Sequence, residues 1–445
     1  MASLPPGPRS KWLTTFQVMT AGTDVIERWR DTYGDPFLIR SMNGELVTTG
    51  RPELIRDIFT ADPDDYLPFG NDVLTPLIGS ESLLVKSGPT HRRERRLLGP
   101  PFLGSQMRGL GPMMVRSTRR RIAELSAGDR FTALDLTQAI SLDVILEAAF
   151  GVEEPERIAT YHDAILSTMN ALSPVFLFAK PLQREIFGRG PWARFQKVNQ
   201  RTDALLQEQI ERVRPVATER EDILSRMLTL EYEDGSRPGD DFIRSQLKTF
   251  LAAGHETTGI ALAWALDRIH RTEGVLERLK DEIDATGPEF DPHRIAQLPY
   301  LEAVCQETLR VHPILSEVMR ILAEDRELAG YEVPAGAGFC ASISLAHTNP
   351  DVFPEPLRFR PERFLERRFT PFEYLPFGGG ARRCLGASFA MHEMALALAT
   401  ILTELDLELL DPNPPCTHRR NVTLAPKGGV PMRVREHRKQ LAMAI

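Results

Sequence analysis

From about residue 106 to residue 310 the apolar residues recur at three-to-four spacing, the period of a helix that buries one face. The pattern predicts helices over 112–126, 134–150, 155–170, 192–214, 240–271, 273–285 and 298–311, mostly bounded by Gly, Pro, Asp or Ser. Residues 36–60 read differently, as a short strand pair around the turn residues Asn43 and Gly44 followed by a helix. After 311 the prolines at 313, 334, 350, 354, 356, 361, 371 and 376 forbid long helices. One last helix, 385–404, follows a cysteine set among glycines. The expectation is a mainly α protein with a small β part near both ends, without internal repeats.

Composition narrows the class without naming a function. With 42% hydrophobic and 26% charged residues over 445 positions, the chain can bury a large core, unlike a disordered or fibrous protein. The formal net charge of −7 gives no support for nucleic-acid binding, which shows as a basic surplus. Cys305, Cys340, Cys384 and Cys416 lie far apart and form no C-x-x-C pair, so a reducing, cytoplasmic setting fits best. The start, MASLPPGPRSKW, has no signal-peptide core, and the most apolar run, 250–266, is interrupted by His255, Glu256 and two threonines. A soluble protein without a membrane anchor is expected.

The strongest chemical signal is the segment 377–386, FGGGARRCLG. It delivers Cys384 toward the first turn of a helix, where unpaired N–H groups, together with Arg382 and Arg383, favour the thiolate that a metal needs. Glycines there permit backbone angles closed to other residues. An isolated cysteine after a flexible loop is most often a buried structural residue; the ordered spacing of Phe377, Gly380, Arg382, Cys384 and Gly386 sets this one apart. That spacing, F-x-x-G-x-R-x-C-x-G, resembles the haem-ligand loop of the cytochrome P450 family.

The resemblance implies that Cys384 is the axial iron ligand of haem b (iron protoporphyrin IX) and that Arg382 pairs with a propionate. It implies a monooxygenase that takes two electrons from NAD(P)H, through ferredoxin or flavodoxin and its reductase. A thiolate ligand favours O–O cleavage.

A second motif, Ala253-Gly254-His255-Glu256-Thr257-Thr258, interrupts an apolar helical stretch. Gly254 lacks a side chain that would obstruct a ligand. Thr257 can bond back to the carbonyl four residues earlier and open a polar notch, and Glu256 can bring protons from solvent. Standing alone, such a motif could be a mid-helix polar patch facing water or a neighbouring helix, the lesser of the two readings. It resembles the family's oxygen-activating helix, which makes Thr257 and Glu256 the candidate catalytic residues. Glu307 and Arg310, three apart, can pair on one helical face; by the resemblance they join Arg363 in a buried cluster that braces the haem loop. His91 and Arg95 lie four apart and match propionate-binding positions, as does Arg320, although Arg92 and Arg96 offer an alternative register. Arg92, Arg93, Arg96, Arg116, Arg119, Arg120, Arg121 and Arg383 could form a docking face for an acidic electron carrier, or simply solvated helix faces.

The resemblance spans nearly the whole chain and implies one triangular, mainly helical domain, 1–445, opening with a Pro-rich segment at 1–10. Membrane-bound relatives carry an anchor before such a hinge. The implied substrate pocket draws on 68–88, 171–190, Phe250, Ala253, 314–318 and Thr423–Ala425. Those largely apolar segments point to O2-dependent hydroxylation or epoxidation of a small terpenoid, fatty-acyl, steroid or polyketide-like compound, as in secondary metabolism. Rival readings are a peroxide-driven hydroxylase or isomerase, which tend to lose the acid and threonine, a haem-thiolate gas sensor, and a helical scaffold without haem.

Overall fold

The computed structural model describes the chain except residues 1–3, 21–23, 43, 103, 172–189, 421, 439–441 and 444–445. The chain divides into two compact units, one of residues 1–69, 107–140 and 257–445, the other of 70–106 and 141–256.

The larger unit holds a five-stranded sheet in the order Phe37–Ser41, Gly44–Thr49, Gly338–Ser342, Glu317–Leu322, Tyr66–Pro68. Neighbours run antiparallel except Gly44–Thr49 against Gly338–Ser342, where Thr48 faces Cys340 in parallel register. The predicted strand pair at 36–60 is therefore present and is followed by the helix Pro52–Thr60; Asn43 lies outside the described residues. Leu38, Val47, Ile55, Phe59, Phe339 and Ile343 form the core on which this sheet rests. The helix Pro299–Val311 begins with a proline at its first turn, and the Tyr300 and Leu301 N–H groups donate to the Glu282 carboxylate at 2.8 and 2.9 Å. Donors that no helical carbonyl can reach are thereby satisfied. The last helix, Ala387–Glu404, is buried along most of its length. It leads into a three-stranded sheet of Leu405–Leu409, Pro431–His437 and Arg130–Thr132.

The smaller unit is helical. Pro155–Ala171 and Pro191–Val213 pack through Tyr161, whose hydroxyl donates to the Leu205 carbonyl at 2.8 Å, and through a Thr168–Thr202 hydroxyl contact at 3.0 Å. The helix Asp240–Arg271 contributes residues to both units, the division falling between Glu256 and Thr257. Its 32 residues begin with Asp240 and Asp241 and end with Arg268, His270 and Arg271, charges that suit the helix dipole at each end.

Most predicted helices are found within two residues of their expected ends. The exception is 112–126. That helix runs from Gly104 to Ile122, with Pro112 inside it, so the proline taken as its start is an interior residue.

Candidate active site

In the larger unit the cysteine loop is built downward onto the sheet core. Gly378 and Gly380 have φ of +63° and +64°, the left-handed region that favours glycine. A Cβ on Gly379 would lie 2.1 Å from the Phe59 ring, and one on Gly380 2.6 Å from the Phe59 carbonyl oxygen, so only glycines let the loop lie this low. The Cys384 N–H donates to the Phe377 carbonyl at 2.9 Å, closing the loop, and Cys384 is exposed. It stands two residues before Gly386, the N-cap of Ala387–Glu404, and not inside the helix's first turn as the sequence suggested.

Below the loop sits a buried cluster. The Glu307 carboxylate accepts from Arg310 Nε at 2.7 Å, Arg310 Nη2 at 2.8 Å, Arg363 Nε at 3.0 Å and the Arg360 N–H at 2.8 Å. The expected Glu307, Arg310 and Arg363 assembly is thus formed. Sequence reasoning missed its link to the loop, His347. This buried ring has Nδ1 at 3.2 Å from the Arg310 carbonyl, while Nε2 accepts the Leu375 N–H at 3.0 Å, two residues before Phe377. Burial, aided by the nearby Arg310 charge, pushes His347 down to about 3. A lone histidine in SLAHTNP carries no motif that could have announced this.

Arg320 and Arg382 lie near one another in the same unit. Arg320 donates to the Met319 carbonyl at 2.9 Å, and burial together with the Arg382 guanidinium pushes Arg320 down to about 10. Two cations so placed can pair with carboxylates. An exposed cysteine on a glycine loop and this arginine pair fit an iron porphyrin, with its need for one thiolate and for cations at its acid groups.

In the smaller unit, His91 is buried on the helix Gly88–Leu98 and Arg95 is half-buried one turn on, whereas Arg92 and Arg96 are exposed. The inward register is therefore His91 and Arg95. Leu83 N–H donates to Gln246 Oε1 at 3.2 Å, Gln246 Nε2 donates to the Glu81 carbonyl at 2.7 Å, and Ser82 and Thr249 hydroxyls meet at 2.7 Å. These bonds tie part of the 68–88 segment to the long helix. Phe250 meets Phe102 edge-on at 5.3 Å.

Along the long helix the residues on either side of the AGHETT motif are mostly buried, yet Ala253 is exposed and Phe250, Glu256 and Thr257 are half-buried. Positions 250, 253 and 257 share one face, so an otherwise core helix bares a stripe at the motif. A Cβ on Gly254 would stand 3.2 Å from Ile145 Cδ1, a close contact that a small shift of that side-chain tip would relieve. His255 is a buried, back-bonded residue, its ring nitrogen 2.7 Å from the Leu251 carbonyl.

Of the other expected pocket segments, 172–189 lies outside the described residues. The 314–318 segment is less apolar than its neighbours suggested. Ser316, Glu317 and Arg419 form a polar cluster, with Arg419 Nη2 3.2 Å from Ser316 Oγ and 3.7 Å from Glu317 Oε1. The hairpin holding Thr423–Ala425 is fixed to this segment by the Leu424 N–H, which donates to the Ile314 carbonyl at 2.9 Å. Among the basic residues, Arg92, Arg93, Arg96, Arg116 and Arg383 are exposed. Arg119 is committed elsewhere, to a largely buried ion pair with Glu404 at 2.6 Å.

Comparison with known proteins places this geometry. The family described as Cytochrome P450 matches residues 5–431. Cytochrome P450 138 of Mycobacterium tuberculosis is 34% identical over 439 residues, covering 96% of this chain and 95% of that protein. Cytochrome P450 135B1 of the same organism is 33% identical, covering 98% and 92%. The structure of retinoic acid-bound cyanobacterial CYP120A1 superposes with a TM-score of 0.83 at 23% identity, covering 98% of this chain and all of that one.

Proposed function

Because the chain belongs to the cytochrome P450 family and is accordingly a haem-dependent monooxygenase that uses O2, we propose that it hydroxylates or epoxidises a small, largely apolar organic compound. The substrate class is terpenoid, fatty-acyl, steroid or polyketide-like, and the working unit is a single domain over residues 1–445. Electrons come from NAD(P)H through a ferredoxin or flavodoxin and its reductase, in the cytoplasm. Among the described residues no helix is long and apolar enough to cross a membrane.

The observation that carries the reading is the glycine loop pressed onto Phe59 with Cys384 exposed at its end. When bound, the haem supplies O2 activation at an iron whose thiolate ligand favours O–O cleavage. Cys384 is that ligand. Phe377 holds the loop closed by accepting the Cys384 N–H. Arg320, Arg382, His91 and Arg95 would take the propionates. On the long helix, Gly254 keeps the backbone close to Ile145, while the Thr257 hydroxyl orients a proton donor and Glu256 passes protons inward from solvent. Retention of both side chains favours this reading over a peroxide-driven one.

The test is spectroscopic. The reduced, CO-bound protein is expected to absorb at the long wavelength characteristic of thiolate ligation, and Cys384→Ala to abolish that band. An unchanged band in the variant would sink the assignment.

A further inference from the structure

Outside this site, the helix Lys11–Thr20 presents its apolar residues on the wrong side for a folded protein. Trp12, Leu13 and Phe16 are 75%, 57% and 64% exposed, while Thr14 is buried at 1%. The inward face is made by Thr14 and by Val18, which packs against the core formed by Val25, Trp29, Phe37 and Ile39. The helix is not a loose tail. The Leu38 N–H donates to the Pro6 carbonyl just before it, and the Met42 N–H donates to Thr15 Oγ1, each at 2.9 Å. Met42 itself is 48% exposed and extends the patch. Four large apolar side chains are therefore held outward by fixed contacts to the first strand.

Within residues 1–23 the charges are of one sign. Arg9 and Lys11 are exposed, and among the described residues neither makes an ion pair. The first acidic residue of the chain is Asp24. A short amphipathic helix with Trp and Phe on its outer face and flanking cations is the pattern of a segment that lies in the headgroup region of a bilayer. An anionic surface attracts this cationic corner even though the chain as a whole carries a net charge of −7. A second copy of the chain is a poorer occupant, because residues 1–23 hold no acid that could face Arg9 or Lys11 in a two-fold pairing of the helix.

We infer that the face formed by Trp12, Leu13, Phe16 and Met42, with Arg9 and Lys11, docks the protein reversibly on an anionic lipid surface. Compounds dissolved in a bilayer would then be met at the surface.

Trp12 makes the idea measurable, because Trp29, Trp192 and Trp264 are only 8%, 8% and 0% exposed. The haem-loaded protein is mixed with vesicles of phosphatidylcholine alone or with phosphatidylglycerol, and binding is read by co-sedimentation and by the tryptophan emission maximum. Preferential binding to the phosphatidylglycerol vesicles is expected, with a blue shift and weakening at high salt. Trp12→Ser with Phe16→Ser should remove it. Arg9→Glu with Lys11→Glu should weaken it more than tenfold, since each cation near such a surface contributes roughly a fivefold effect. The CO spectrum of both double variants should match the parent, so this test stands apart from the haem reading. No sedimentation overturns the inference, as does equal binding to both vesicle types. A blue shift that follows protein concentration without vesicles, together with dimers in ultracentrifugation, overturns it in favour of a second copy.

Discussion

Replacing His347 with leucine separates two things that a buried histidine does. The ring spans the Arg310 carbonyl and the Leu375 N–H, at 3.2 and 3.0 Å, and stacks on Tyr374 with centroids 5.4 Å apart. Because Nε2 accepts, Nδ1 must carry the proton, and the ring is neutral. Leucine fills similar space but leaves one buried acceptor and one buried donor unpaired, at about 1–3 kcal/mol each, so a loss of roughly 2–6 kcal/mol is expected at pH 7. Acid changes that deficit. His347 is held at about 3 in the folded protein against 6.5 unfolded, so the unfolded chain binds more protons and wild-type stability declines as pH falls below 6.5, the decline being complete below about 3. Between pH 7 and pH 5 the decline is about 2 kcal/mol. The leucine variant lacks it, so the gap between the two proteins should narrow by about 2 kcal/mol at pH 5. His392, pushed down to about 4 by burial, slopes the same way in both proteins and cancels. Urea unfolding of the haem-loaded proteins, followed by far-UV circular dichroism at the two pH values, measures the gap. A gap of equal size at pH 7 and pH 5 would refute the assignment of His347 as a neutral brace.

Thr257→Ala is expected to cost about 1 kcal/mol or less in stability while product formed per NAD(P)H falls and hydrogen peroxide rises. A positioned proton donor typically contributes a hundredfold or more to its step, so product yield equal to wild type would remove Thr257 from the chemistry. Reduction by a ferredoxin should slow as salt rises, exposed charges being screened over ~8–10 Å. It should slow further in Arg92→Glu with Arg93→Glu, with substrate affinity nearly intact; rates indifferent to salt and to both substitutions would discard the basic docking face.

What could be read from the chain follows from which residues carry a period or a spacing. The helix 240–271 was legible to the residue because its apolar positions repeat with the helical period and its ends carry charges matching the dipole. The helix Gly104–Ile122 was cut short because Gly104, Gly109, Gly111 and Pro112 weaken its first half on paper; the surrounding fold overrides that local preference. The strand Gly338–Ser342 was invisible for another reason. It is buried on both faces at every position, so it shows no alternation to detect. The Glu307 cluster was legible through the resemblance and the three-residue spacing of Glu307 and Arg310. Ser316, Glu317 and Arg419, and His347 above all, gain meaning only from partners distant in sequence.

The contact between the glycine loop and Phe59 bears on how this protein can diverge. Positions 59 and 379 are 320 residues apart, yet the loop glycine and the ring share one volume, with 2.1 Å where a methyl group would need to stand. A side chain at 379 is tolerated only with a smaller residue than Phe at 59, so in descendants of this chain the two are tied as a covarying pair. Random libraries aimed at new substrates gain from holding both fixed and varying the proposed pocket segments. Those segments can drift in pursuit of selectivity while the bearing under the Cys384 loop stays as it is.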